Sequence, residues 1–413
     1  MICTPGPCSH VEHSSAGRMT RRSGTWLLGI ALLVVGTGSS AASSSAVSQS
    51  PTANPAGGPG VIADLPVNTF VALELPERGQ GIPGYGMKHV TWAYNPVNKR
   101  LYAVGGDYAG MAYQQSYRQE VWSLSLAERW TKREAPAAGW RLEYPYCGPA
   151  DQVQPKHPDF VGWMWDVKRS LFWMMPGVMV ASSNDNCPGE TVDQKSDPGF
   201  LLGKVMTFDP AKRIWTDQTP NGYTAGPDTA ETWMSVYDPV RDEIIRFGFN
   251  GGTGGAVNIL DVAAKRWRVV PLGLNGQGRE VRLNKEYLAP DFAARQIYAI
   301  DGLSGRLHRW NMDRRTLADL GPVPGGSLGT ENITHPIWDS VNKVLLWYRA
   351  ENDLFHIYHP DRKQWESMPV VTSPPGARLR ARAVVFDPDE NVTMLLGGLE
   401  PGNPYLFLYR YGR

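Results

Sequence analysis

Cysteine is scarce: four residues in a chain of 413 exclude a scaffold held together by many disulfides. Charge of either sign is not in excess. Lysine plus arginine number 41 and aspartate plus glutamate 40, a net charge of +1, so the sequence gives no sign of the concentrated basic surface that a nucleic acid requires, and nucleic acid is not expected as a partner. Long apolar runs are missing. The stretch from Trp26 to Val35 falls well short of the ~20 residues that span a bilayer as a helix. In the domain over 61–413 only His356 and His359 lie close at a metal-like spacing, and an interval of three on a strand sends them to opposite faces, so no metal is expected. The oxygen-rich segment SNDNCPGE at 183–190 lacks the ligand spacing of a calcium loop and reads as a solvated turn. No nucleophile elbow, phosphate-binding loop or HExxH helix occurs, and no cofactor is expected.

What is plentiful is turn chemistry and large aromatics: 44 glycines, 33 prolines and 15 tryptophans. That combination argues for many short strands rather than for helices. The N-terminus reads separately. Arg18, Arg21 and Arg22 precede the short apolar core, and small residues follow it, the layout of an export signal over residues 1–46. Residues 47–60 then form a flexible lead-in to a domain over 61–413. The mature chain is expected to be secreted or periplasmic, with no membrane partner once the signal is removed.

One phrase is written six times: VTWAYNPVNKRLYAVGG, GWMWDVKRSLFWMMPG, MSVYDPVRDEIIRFGFNGG, YLAPDFAARQIYAIDG, HPIWDSVNKVLLWYRA and AVVFDPDENVTMLLGG. Each is two apolar runs around a turn residue, namely Asn95, Asp166, Asp238, Asp291, Asp339 and Asp387, so each predicts a β-hairpin. The turn residues are spaced by 71, 72, 53, 48 and 48 positions, which makes the last units compact and places insertions in the first two. A second hairpin follows in five units, four times ending in tryptophan (Trp130, Trp215, Trp267, Trp365). Four strands, a to d, cannot bury both faces of one sheet, and radial stacking solves that problem. The reading is an all-β, six-bladed β-propeller of four-stranded antiparallel blades. Its sixth unit runs out at strand c, and NTFVALELP at 68–76 supplies the missing strand d.

Gly105–Gly106, Gly397–Gly398 and the spaced tryptophans resemble the kelch repeat and the galactose-oxidase-like propellers. Blades one and six match best, and units such as LLWYRA lack the double glycine. The resemblance implies a carbohydrate-active or interaction propeller. Six-bladed kelch propellers of the sialic-acid epimerase type and propeller polysaccharide lyases are loose relatives.

In an up-and-down blade the d-to-a and b-to-c connections share one rim, where the long segments 107–120, 132–158 and 177–203 fall; such loops on a rigid scaffold tend to carry function. Cys147 and Cys187 lie in two of these connections, and in an exported protein they are expected to form a disulfide. Strand a lines the channel, so its first residues converge at the same rim: Lys88, His89, Asp159, Glu231, Lys285, Glu286, Asn332, His335, Arg380 and Arg382. Crowded charges at a concave mouth suit acid–base chemistry. His89 and His335 are the expected proton donor or acceptor and Glu231 the orienting or abstracting carboxylate. Lys88, Asp159, Lys285, Glu286 and Asn332 would bind ligand, while Arg380 and Arg382 would hold an acidic group. Tyr108 and Tyr144 are rim rings suited to a sugar face. The expected ligand is a carbohydrate or another small polar molecule. A non-catalytic module that recognises protein or glycan is the alternative, and a galactose-oxidase-like copper oxidase the third.

Overall fold

Each hairpin of the repeat turns on the residue that ends its first strand. In the computed structural model Asn95, Asp166, Asp238, Asp291, Asp339 and Asp387 are all buried. Their Oδ1 atoms accept backbone NH groups two or three residues on, among them Val97 on Asn95 at 2.9 Å, Lys168 on Asp166 at 2.8 Å and Asn342 on Asp339 at 2.8 Å. The carboxylates are therefore inside because they satisfy turn amides that have no strand partner. The fourth residue after each is left-handed (Lys99, Ser170, Asp242, Arg295, Lys343, Asn391; φ from 51 to 58°), which closes the turn and starts strand b. The left-handed fourth residue recurs between strands c and d after Asp209, Asp261, Asn311 and His359; the first three also accept turn amides, whereas His359 turns its ring to Glu366.

The structure describes residues 64–74, 87–88, 91–104, 107–108, 120–125, 140–145, 162–175, 204–220, 235–249, 255–273, 287–301, 304–326, 335–349, 354–373, 375, 381–397 and 405–412. In chain order the strands begin with β1 (Phe70–Glu74) and β2 (Met87–Lys88). Blade one is β3 (Thr91–Asn95), β4 (Arg100–Val104), β6 (Val121–Ser125) and β7 (Trp140–Tyr144), with β5 (Asp107–Tyr108) between its second and third strands. Blade two is β8 (Gly162–Asp166), β9 (Leu171–Met175), β10 (Met206–Asp209) and β11 (Ile214–Asp217). Blade three is β12 (Ser235–Asp238), β13 (Glu243–Phe249), β14 (Gly255–Asp261) and β15 (Arg266–Pro271). Blade four is β16 (Tyr287–Asp291), β17 (Gln296–Asp301), β18 (Arg306–Asn311) and β19 (Thr316–Pro322). Blade five is β20 (Ile337–Asp339), β21 (Val344–Arg349), β22 (Leu354–His359) and β23 (Gln364–Pro369); the short β24 (Thr372–Ser373) that follows pairs in parallel with β1 at the edge of the blade-six sheet. Blade six takes β25 (Ala381–Asp387), β26 (Val392–Gly397) and β27 (Tyr405–Tyr409) from the end of the chain and β1 from its beginning. This is the six-bladed propeller that the repeat predicts.

The ring closes in two ways. Neighbouring inner strands touch in the sequence β3, β8, β12, β16, β20, β25 and back to β3. At the seam β1 runs antiparallel to β27, with Ala72 opposite Phe407. Phe70, 1 % exposed, stacks on Tyr409 (centroids 4.4 Å apart) and meets Phe355 of blade five edge-on at 5.0 Å, so the N-terminal strand also glues two blades together. The core lies between sheets. Tyr298, Trp338, Trp347 and Tyr358, for example, fill the space between blades four and five.

Blade one departs from the expected layout. Its strand d is Trp140–Tyr144, not a strand ending at Trp130, which lies outside the described residues. Trp215, Trp267 and Trp365 do occupy strand d of their blades. The c-to-d connection of blade one thus spans 126–139 and is an insertion in its own right, where a short turn was expected.

Candidate functional site at the long-loop rim

Because the a-to-b hairpins all turn on one rim, the six inner strands all start on the other. Thr91, Gly162, Ser235, Tyr287, Ile337 and Ala381 therefore surround a single axis. The approach is close between blades two and three. A Cβ on Gly162 would overlap Ser235 Oγ and come within 3.1 Å of Met175 Cβ, so only glycine lets these two inner strands lie so close.

Three elements build outward from this mouth. Beyond the start of β3 and the end of β4, β2 and β5 pair as a two-stranded ribbon with Met87 opposite Tyr108 and Lys88 opposite Asp107. Lys88 and Tyr108, far apart in sequence, thereby share one ribbon. In blade six the register of β25 shifts between Ala381 and Ala383, which makes Arg382 the extra residue of a β-bulge at the very start of the strand. His335 sits half-buried two residues before β20.

Tyr144 is corrected to a different role. It ends strand d of blade one, is 1 % exposed, and packs edge-on against Phe208 and Trp215 of blade two at 6.2 and 6.3 Å. It is a wall between blades rather than a ring open to a sugar, because the strand reaches fourteen residues further along the chain than the tryptophan pattern suggests. His89, Asp159, Glu231, Lys285, Glu286, Asn332, Arg380, Cys147 and Cys187 lie outside the described residues.

The structure adds a buried polar group at the same rim, where blades four and five meet. Arg349 ends β21 at 6 % exposure. Its Nη1 donates to the carbonyls of Pro324 (2.7 Å) and Gly326 (3.3 Å), and its guanidinium lies 6.0 Å from the centroid of Trp347. Gly325, with φ +77°, passes so near that a Cβ would run into that guanidinium. One strand over, His356 is 1 % exposed and opposite Trp347, with Nδ1 2.7 Å from Ser367 Oγ. Burial, reinforced by the Arg349 charge, brings its pKa down to about 4. At neutral pH it is an uncharged acceptor and donor, not an acid. The sequence signal for this group is the run VLLWYR: a charged residue closing a fully apolar strand must find carbonyls or a counterion inside. His308 in β18 is similarly buried, with its pKa lowered by desolvation.

A second concavity lies on the opposite rim, at the seam. Asn68, Asp361, Arg362, Glu366, Met368 and Tyr411 line a cleft of about 480 Å³. Beside it the buried His359 meets Glu366 through Nε2 at 3.1 Å. Among the described residues no group of three or more histidine, cysteine, aspartate or glutamate side chains is arranged to hold a metal ion.

No family model matches the chain, and no curated protein matches it. Among solved structures, a chain from the "Crystal structure of Nidogen/Laminin Complex" is similar to this one at 12 % identity and a TM-score of 0.40, over 69 % of this chain and 81 % of that chain.

Proposed function

We propose that the protein is an exported, kelch-like propeller that binds an acidic carbohydrate at the long-loop rim and acts on it by acid–base chemistry. The observation that supports this is the inequality of the two rims. One carries ten described hairpin turns closed by a left-handed residue, together with the 126–139 connection of blade one, and the other carries the b-to-c and d-to-a connections, the ribbon with Lys88 and Tyr108, the Arg382 bulge and His335. A bulge at the mouth of a closed ring interrupts the regular ladder, and arginine is the residue that grips a carboxylate in fork geometry. On this reading Arg380 and Arg382 hold the uronate or sialate group, His89 and His335 move the proton, and Glu231 orients or abstracts. Cys147 and Cys187 tie two rim loops together.

The test is a thermal-shift and pull-down panel of acidic and neutral glycans, run with and without copper. Acidic glycans should stabilise the protein, and Arg380→Ala and Arg382→Ala should each weaken that binding at least tenfold. Equal binding by neutral glycans, or binding indifferent to both substitutions, would overturn the reading; dependence on copper would move it to oxidase chemistry.

A further inference from the structure

The turn face, opposite the long loops, carries a pattern that carbohydrate binding does not use. Each a-to-b turn buries its capping residue and turns the next residues outward. In five blades of six one of those residues is an exposed apolar side chain: Val97 (75 % exposed), Val167 (52 %), Val240 (69 %), Phe292 (44 %) and Val341 (48 %). Single exposed apolar side chains need no explanation, but five on the a-to-b turns, each one or two residues after the capping residue, surround one axis and form a ring. They account for most of the large apolar side chains that stand exposed among the described residues.

Cations stand around that ring. Lys168 and Lys343 lie on the same inner turns, while Lys265, Arg314 and Lys363 lie on the c-to-d turns farther from the axis. All five are exposed, and none is within ion-pair distance of a carboxylate among the described residues. Blade six interrupts the girdle: its turn carries Asp389 and Glu390, which pair with Lys99 of blade one at 3.5 Å. The cations without a carboxylate partner therefore lie on blades two to five, with the exposed acids Asp313, paired with Arg241 and Arg295, and Asp361 among them.

The turns are held at one level by bonds between blades. Tyr94 donates to Asp387 at 2.6 Å, Arg295 grips Asp238 at 2.6 and 2.7 Å, and Asn342 reaches Asn391 at 3.3 Å. A face fixed in this way loses little conformational freedom on docking. Its partner must be flat, anionic and receptive to apolar tips. A polysaccharide would leave the valines unused, and a second copy of this face would set cation against cation.

We infer that the turn face docks peripherally on a lipid bilayer with anionic headgroups. The ring of Val97, Val167, Val240, Phe292 and Val341 lies at headgroup depth, and the cations of blades two to five contact phosphate. No helix among the described residues is long and apolar enough to cross a membrane. The contact differs from the absence of any membrane partner expected from the sequence. In this orientation the long-loop mouth points away from the bilayer.

The experiment is flotation of the protein with vesicles of phosphatidylcholine alone or with 30 % phosphatidylglycerol, and with soluble dextran sulfate as a polyanion lacking an apolar phase. The protein should float with anionic vesicles, and 0.5 M salt should release it. Lys168→Glu, Lys265→Glu and Lys363→Glu together should lower the partition coefficient on the order of a hundredfold, and Val97→Ser with Val240→Ser at least fivefold. All these sites are exposed, and unchanged thermal melts will show that the variants fold. Failure to float at low salt, equal binding to neutral vesicles, or dextran sulfate binding that matches vesicle binding and ignores the valine changes would each overturn the inference. The glycan reading stands or falls on the other rim, so the two outcomes are separable.

Discussion

Asp238 and Asp339 end strand a in blades three and five, are almost fully buried, and accept the same turn amides, yet their replacement by asparagine should have very different effects. Burial pushes both carboxyls up. At Asp238 the Arg295 guanidinium, gripping both oxygens, and the turn amides more than reverse that push, and its pKa is lowered. At Asp339 the amides and the Asn342 side chain do not suffice, and the pKa stays raised. Removing one member of a buried pair typically costs about 3–5 kcal/mol. Arg295 keeps Asp313 at 3.1 Å after Asp238→Asn, so its charge is not abandoned, and a loss of about 2–3 kcal/mol at pH 7 is expected. Asp339→Asn should lie within about 1 kcal/mol of wild type, because a neutral side chain suits a site that already disfavours the charge. Urea unfolding followed by tryptophan fluorescence measures both. A depressed carboxyl contributes stability above its unfolded pKa of about 3.9 and loses it as pH falls through the lower folded value. The Asp238→Asn deficit should therefore shrink below about pH 4. Equal losses for the two variants at pH 7, or an Asp238→Asn deficit that persists unchanged in acid, would refute the reasoning.

Gly162→Ala should destabilise by about 1–3 kcal/mol through overpacking against Ser235, and Ser235→Gly in the same chain should recover most of it; a neutral single variant in thermal melts would count against the close approach. His356, held near pKa 4, stays neutral in the folded protein while the unfolded imidazole takes up a proton below about pH 6.5, so wild-type stability falls as pH drops from about 6.5 to 4. That loss amounts to about 3 kcal/mol at the lower end, and His356→Leu should flatten this part of the pH profile; a variant with the wild-type slope would exclude His356 as its source.

The blade count was legible because the turn residue is chemically constrained: only a short acceptor such as aspartate or asparagine can enter the sheet end and satisfy two turn amides, so six of them mark six hairpins. Strand d of blade one was not legible. Its tryptophan, Trp140, lies ten residues beyond the one that fits the repeat, and an apolar run after an insertion offers no register of its own. Tyr144 was misread for the same reason. The Lys88–Tyr108 ribbon and the Arg382 bulge depend on pairing between distant residues, which no local pattern encodes. The turn-face cations that have no carboxylate partner among the described residues escaped because a net of +1 carries no information on where charges lie.

The left-handed turn position shows where several of those cations come from. An L-residue there is strained by roughly 1–2 kcal/mol relative to glycine, yet seven of the ten described hairpin turns place lysine or arginine in it: Lys99, Arg213, Lys265, Arg295, Arg315, Lys343 and Lys363. Four of the seven reach back to the preceding blade. Lys99 meets Asp387 of blade six at 3.6 Å, Arg213 meets Glu143 of blade one at 3.5 Å, Arg295 meets Asp238 and Arg315 meets Glu243 of blade three. A long cation at that position crosses the seam, where glycine or asparagine would leave a buried carboxylate without its charge partner, so the strain is offset by an inter-blade pair. Lys265, Lys343 and Lys363 carry the same strain with no such pair among the described residues. Internal stability does not account for them, whereas an anionic surface under the turn face does. Replacing these three with glycine should leave thermal stability unchanged or raised and lower vesicle binding, while glycine at Arg295 or Arg315 should weaken the fold.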